Sequence, residues 1–289
     1  MNGPMRVSDL DSLGYRRKTA VVTGGSSGMG DATVRVLDRL GARVHVVDVH
    51  KPTAAHAEFY ETDIADPARV SATAARLREI GSIDFYFSCA GISHTLGPLA
   101  CMLVNYVGAR QLIEQTLPAI ADGGGIAIIA SQAGMMWQAN LATNLELLAI
   151  EDPIEARAWC EAHPEKIKDG YSVSKEMLIV YAMHRCVSLG NERRIRINCT
   201  APCPTRTAFM TPTIAAMGEE FFERFPYPSL GRMATPDEQA WPLVLLNSPL
   251  NATVSGAVLY TDQGFSGGAL TGSLDTSSIM PVRPDASSS

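Results

Sequence analysis

The chain has 289 residues, 46% of them hydrophobic and 19% charged, a composition that sustains a sizeable core and excludes a disordered or coiled-coil protein. Lysine and arginine number 24 against 30 aspartates and glutamates, and the net charge of −6 argues against binding to a phosphate backbone. Six cysteines without a C-x-x-C pair and six scattered histidines give no metal-ligand spacing, so free buried thiols and no metal are expected.

Met1 to Lys18 carries charges and no apolar core, and no run approaches the roughly 18 apolar residues of a membrane span, so a soluble cytoplasmic protein is expected. A first strand at residues 19–23 (TAVVT) runs into a glycine-rich turn and a helical pattern over 31–40. Further strands are expected at 43–49, 58–64, 84–90, 125–131, 195–201 and 257–261, with helices at 67–80, 104–120 and 172–189. Strand and helix alternating in this way predict an α/β fold with one doubly wound, Rossmann-type parallel sheet of about seven strands and helices on both faces. A sheet covered on both faces explains the near-continuous apolar strands.

Residues 144–168 break the rhythm and read as an inserted helical hairpin. Asp152, Pro153 and Glu155 form a D-x-x-E start with proline at the first helical position, and His163-Pro164 ends it. Three readings stand for it: a surface decoration, a wall over a substrate pocket, or an obstacle at a subunit interface. Both ends are expected to be peripheral, with the tail 271–289 flexible beyond Met280.

The first turn reads Thr23-Gly24-Gly25-Ser26-Ser27-Gly28-Met29-Gly30 and leads straight into a helix. Its glycines allow a tight turn and close backbone approach, so the helix N-terminus can offer free N–H groups and its positive dipole end to a pyrophosphate. Asp48 closes the second strand 20 residues after Gly28, where a carboxylate can take both ribose hydroxyls of a dinucleotide. That carboxylate would repel a 2′-phosphate, so NAD(H) is expected over NADP(H), although His50 and Lys51 close behind soften the preference.

Tyr171-Ser172-Val173-Ser174-Lys175 places a phenol and an ammonium four residues apart on one helix face. A phenol is a poor base at neutral pH, and a fixed ammonium beside it stabilises the phenolate, so Tyr171 can exchange a proton with a hydroxyl or carbonyl. Alone this spacing is common by chance.

Taken together, the turn TGGSSGMG, Cys89-Ala90-Gly91, Asn105, Ser131 and YSVSK resemble, in order, the short-chain dehydrogenase/reductase family over residues 19–268. The resemblance implies that Tyr171 is the general acid or base and that Ser131 holds the substrate oxygen. It makes Lys175 the residue that binds the nicotinamide ribose and tunes the tyrosine, and Asn105 the link from lysine to a water-mediated proton path. It further implies adenine contacts from Asp63 and Ile64, cofactor contacts along Cys89, Ala90 and Gly91, and nicotinamide contacts from Pro202, Thr205 and Thr207. The chain departs from the family's pattern at Cys89, where asparagine is usual, at Cys203, where glycine follows proline, and at Gln263 in a turn that usually reads Asp-Gly-Gly.

Pocket walls are expected from Ser93, Met135, Trp137, Phe209 and Met210, within stretches whose methionines and aromatic rings suit a bulky, flat, apolar ligand. The segment between the second strand and Asp63 is too short for a full helix, and 40 residues separate Ser131 from Tyr171. Both features resemble the branch that holds bacterial 3α-hydroxysteroid dehydrogenase/carbonyl reductase and coniferyl alcohol dehydrogenase, and that resemblance implies a homodimer, with a tetramer as the alternative. The expected activity is an NAD(H)-dependent interconversion of alcohol and carbonyl on a hydrophobic cyclic or aromatic substrate. The rival is a cofactor-sensing protein that has lost catalysis, which would have no need of a complete proton relay. At about 150 residues per domain the length suggests two domains. The order of the motifs reduces this to one domain over 1–289, with its core at 19–268.

Overall fold

A computed structural model of the chain describes residues 11–276. Seven parallel strands, β1 (Thr19–Thr23), β2 (Arg43–Asp48), β3 (Glu58–Glu61), β4 (Ile83–Ser88), β5 (Ile120–Ile129), β6 (Arg196–Pro202) and β7 (Val258–Thr261), form one sheet. Its order is β3-β2-β1-β4-β5-β6-β7, so the chain reverses its direction of travel across the sheet between β1 and β4. Crevices at the carboxyl ends of such reversal points are where doubly wound sheets bind ligands.

Strand residues alternate between two buried layers. Val21, Ile126 and Ile128 point into one layer, packed against α2 (Pro67–Arg78) and α6 (Gly170–Arg193). Ala20, Val22, Phe85 and Phe87 point into the other, against α1 (Gly28–Arg39) and α9 (Pro236–Asn247). With both faces covered, each fully buried Leu or Ile contributes on the order of 2 kcal/mol.

The helix expected over 104–120 is longer and composite. Its parts, together called α3, are a turn at Pro98–Cys101, a π-helical stretch at Met102–Gly108 and an α-helix at Ala109–Thr116. The expected strand 58–64 stops at Glu61, because Asp63 accepts from the Ala65 N–H at 2.9 Å and turns the chain away. No helix stands between β2 and β3, in keeping with the short connection.

The insertion is a helical hairpin of α4 (Leu141–Leu148) and α5 (Pro153–Ala162), and the Asp152 carboxylate caps α5 by accepting from the Ile154 and Glu155 N–H groups. Leu147, Leu148, Ala156 and Cys160 bury its inner face on the layer that holds α3 and α6. The helix α4 is fastened by a buried carboxylate: Glu176 on α6 accepts from the Asn140 amide at 2.9 and 3.0 Å and from the Asn144 amide at 3.2 Å. The remaining helices are α7 (Thr211–Met217), α8 (Glu219–Arg224) and α10 (Phe265–Thr271).

The N-terminal extension is not wholly peripheral. Tyr15 is fully buried, packs on Phe85 at 4.6 Å between ring centroids, and donates to the Val244 carbonyl at 2.6 Å. The tail expected to be flexible beyond Met280 lies outside the described residues. Among the described residues no helix is long and apolar enough to cross a membrane, and no cluster of three or more His, Cys, Asp or Glu could hold a metal ion.

Candidate active site

A cleft of about 300 Å³ opens at the carboxyl ends of β1, β2 and β4. Gly24 has φ +68°, and a Cβ there would meet the Ala90 backbone at 2.6 Å. A Cβ on Gly30 would fall 2.0 Å from the Gly24 carbonyl oxygen, so the turn closes on α1 only with glycine at both places. Ser27 takes the N-cap position of α1 in an extended conformation but makes no side-chain cap bond, leaving the first-turn N–H groups facing the cleft. Asp48 accepts from the Ser26 N–H at 3.0 Å and the His50 N–H at 3.1 Å, which fixes its carboxylate on the cleft wall. A glycine cradle, open helix-end donors and an oriented carboxylate together fit a dinucleotide.

Every residue expected to contact the cofactor lies on this wall except Pro202 and Thr205, which line the adjoining cavity instead. Their displacement follows from β6, which ends at Pro202 and sends the chain to the substrate side, where Thr205 pairs with Ala234 in an isolated bridge.

Three of the four expected catalytic residues meet where the two cavities join. Tyr171 and Lys175 stand on α6 with the ammonium 5.8 Å from the tyrosine ring centroid, and Ser131 follows the end of β5. Asn105 sits one layer behind, fully buried in the π-helical stretch. Its Oδ1 accepts from the Ile92 N–H at 2.7 Å, and its amide donates to the Ile92 carbonyl and the Ser174 hydroxyl, both at 3.2 Å. Asn105 thus ties the Gly91 edge to the helix of Tyr171. The backbone at Gly91 comes so close that a Cβ would lie 3.2 Å from Asn105 Oδ1 and 3.6 Å from Lys175 Nζ.

Burial pushes the Tyr171 phenol above its ordinary pKa, opposed by a hydrogen bond with Ser131. Lys175 is itself depressed to about 8 by burial, and its Nζ donates to the Ile129 carbonyl at 3.1 Å.

A second cavity of about 510 Å³ adjoins the cleft and shares Met29, Ala130, Tyr171, Thr207 and Phe209 with it. Phe209 and Met210 line it as expected; Ser93, Met135 and Trp137 do not. Ser93 is buried behind the wall, its hydroxyl 3.0 Å from that of Thr213, and Met135 packs with Phe225 and Phe265. Trp137 turns into the layer that holds α3 and α6. The insertion contributes to neither wall, so of its three readings that of a pocket wall is set aside.

Sequence reasoning missed the Ile129 carbonyl and the Ile92 backbone, which act through main-chain atoms that residue identity does not mark. It also passed over Asp169 on the cavity wall, although an aspartate two residues before Tyr171 is an evident N-cap signal.

Fold and site define a nicotinamide-linked oxidoreductase of the α/β, dinucleotide-binding class. Residues 18–143 match the short chain dehydrogenase family model, and residues 162–266 match a model described as enoyl-(acyl carrier protein) reductase. Coniferyl-alcohol dehydrogenase of a Pseudomonas species is 30% identical over 86% of this chain and 96% of its own length. The 3-alpha-hydroxysteroid dehydrogenase/carbonyl reductase of Comamonas testosteroni is 29% identical over 84% and 95%. The crystal structure of 3-alpha-hydroxysteroid dehydrogenase from Pseudomonas sp. B-0831 complexed with NADH superposes with a TM-score of 0.73 at 25% identity, covering 89% of this chain and all of that one. The chain belongs to the short-chain dehydrogenase/reductase family, whose members bind a nicotinamide cofactor.

Proposed function

We propose that this chain is an NAD(H)-dependent oxidoreductase that interconverts a hydroxyl and a carbonyl on a bulky hydrophobic cyclic or aromatic substrate. A hydroxysteroid-type secondary alcohol is the first reading, and an aromatic alcohol of the coniferyl type or an alicyclic alcohol is the second. The observation that carries the proposal is the meeting of a cofactor-shaped cleft and a largely apolar cavity at Tyr171, with Ser131 on the cavity side and Lys175 on the cleft side. When bound, the nicotinamide supplies hydride transfer. The Tyr171 phenol exchanges the proton with the substrate oxygen, the Ser131 hydroxyl holds that oxygen, and Phe209 and Met210 press an apolar ring into place. Asp48 supports NAD(H), because its carboxylate, held on the cleft wall by the Ser26 and His50 N–H groups, would repel a 2′-phosphate brought beside it.

The rival reading, a silent cofactor sensor, is opposed by the presence of Asn105, Ser131, Tyr171 and Lys175 in one connected arrangement. The deciding experiment follows NADH formation across a panel of steroid, aromatic and alicyclic alcohols, with NAD and NADP in parallel. Tyr171→Phe should keep NADH binding and lower kcat by about 10²–10⁴; near wild-type turnover would refute the assigned role. Tight NADH binding with no turnover on the whole panel would favour the sensor.

We infer further that the chain acts as a single-domain cytoplasmic homodimer. The hairpin α4–α5 covers part of α3 and α6 and so removes one surface for helix-to-helix association between copies. A sedimentation mass of four chains would overturn this.

A further inference from the structure

The wall of the second cavity carries a single carboxylate, Asp169, and no guanidinium or ammonium among the described residues. Asp169 caps α6, its Oδ1 accepting from the Ser172 N–H at 3.3 Å, two residues before the tyrosine where the two cavities meet. The rest of the wall mixes apolar side chains, among them Phe209, Met210, Met217 and Phe222, with uncharged polar ones such as Ser131, Gln132, Thr205 and Thr213, so an anion brought in would lose hydration without gaining a lysine or arginine partner. Burial is the main cause that raises the Tyr171 phenol, and the charge of the exposed Asp169 adds to it in a minor way.

We propose that Asp169 is a specificity-determining residue that rejects alcohols bearing a carboxylate and so restricts this site to uncharged alcohols. The inference rests on the reading of the chain as an alcohol dehydrogenase and narrows its substrate class. Apolar walls disfavour any ion, but only a fixed negative charge distinguishes an anion from its neutral ester by repulsion that a single isosteric change removes. His94 also lines this wall.

The test uses two compact pairs, 4-(hydroxymethyl)benzoate with its methyl ester and 4-hydroxycyclohexanecarboxylate with its methyl ester, assayed with NAD. The wild type should favour the ester by at least about tenfold in kcat/KM, and Asp169→Asn should narrow that ratio by about tenfold. Asparagine is as good an N-cap as aspartate, so the start of α6 is kept; Asp169→Glu should restore the discrimination. Equal use of acid and ester by the wild type, or an unchanged ratio in Asp169→Asn, would overturn the proposal. Calorimetric binding of the same pairs to the NADH-loaded protein reads the preference without turnover. A preference for the ester there with no oxidation of either would sink the dehydrogenase reading and leave the charge filter standing.

Discussion

Gln263 and Cys203, two positions at which the chain departs from the family's usual glycines, are in contact: the Gln263 amide lies 3.5 Å from the Cys203 sulfur. Gln263 holds a left-handed conformation, φ 63°, that costs a residue with a Cβ about 1–2 kcal/mol. Its side chain is engaged on the other side as well, donating to the Arg232 carbonyl and accepting from the Leu230 N–H, each at 2.9 Å. The strained residue therefore latches the segment after α8 to the end of β6, on the wall of the second cavity.

Gln263→Gly should leave stability within about 1 kcal/mol of wild type, since relief of the backbone offsets the loss of half-exposed hydrogen bonds. It should raise KM for the alcohol more than it lowers kcat. In a double-mutant cycle with Cys203→Gly, urea denaturation should show a coupling of at least about 0.5 kcal/mol; strict additivity would mean that the contact has no energetic content.

Lys175 is buried with its pKa lowered from 10.5 to about 8. The unfolded chain then binds more protons than the folded one between those values, so stability rises with pH across that window. Below pH 8 both states are protonated and the full cost, about 3 kcal/mol, is present. Lys175→Met should accordingly be more stable than wild type at pH 7, lose the rise between pH 8 and 9.5, and have lost most activity. Thermal unfolding at half-unit pH steps checks the sign, and a less stable variant would show that the Ile129 contact outweighs desolvation.

Glu176 holds the insertion through three amide contacts from Asn140 and Asn144. Burial raises its pKa, so ionising it works against the fold as pH rises above the ordinary carboxylate range. Glu176→Ala should cost about 2–4 kcal/mol by stranding both amides, whereas Glu176→Gln should cost less than about 1 kcal/mol, having exchanged charge burial for one acceptor. Equal losses would show that the contacts matter less than the packing around them.

Asp48→Asn should shift the ratio of NADPH to NADH affinity upward by about tenfold or more, because it removes the charge and keeps an acceptor for the Ser26 or His50 N–H. Fluorescence titration with both nucleotides measures it. An unchanged ratio would assign cofactor choice to another residue.

Residue types announced the cleft because its requirements are local. A continuous apolar strand, glycines where a Cβ collides with backbone, and a carboxylate at the end of β2 all follow from spacing along one β-α-β unit. The substrate wall was less legible: Met135 and Trp137 follow Ser131 closely, yet the turns after it carry both away from the cavity. Helix periodicity likewise gave α3 without its π-helical stretch, in which Asn105 meets the Ile92 backbone.

Ser27 stands at the head of α1 without closing it. A nucleotide phosphate seated there would cap the helix, and nucleotide supply would then enter the folding equilibrium itself, adding about 2.7 kcal/mol when the cofactor stands at a hundred times its Kd. The melting temperature should climb with the logarithm of NADH concentration even with no alcohol present. In a cell, the lifetime of this enzyme against proteolysis would then track the nucleotide pool, making its abundance a readout of metabolic state before any substrate arrives.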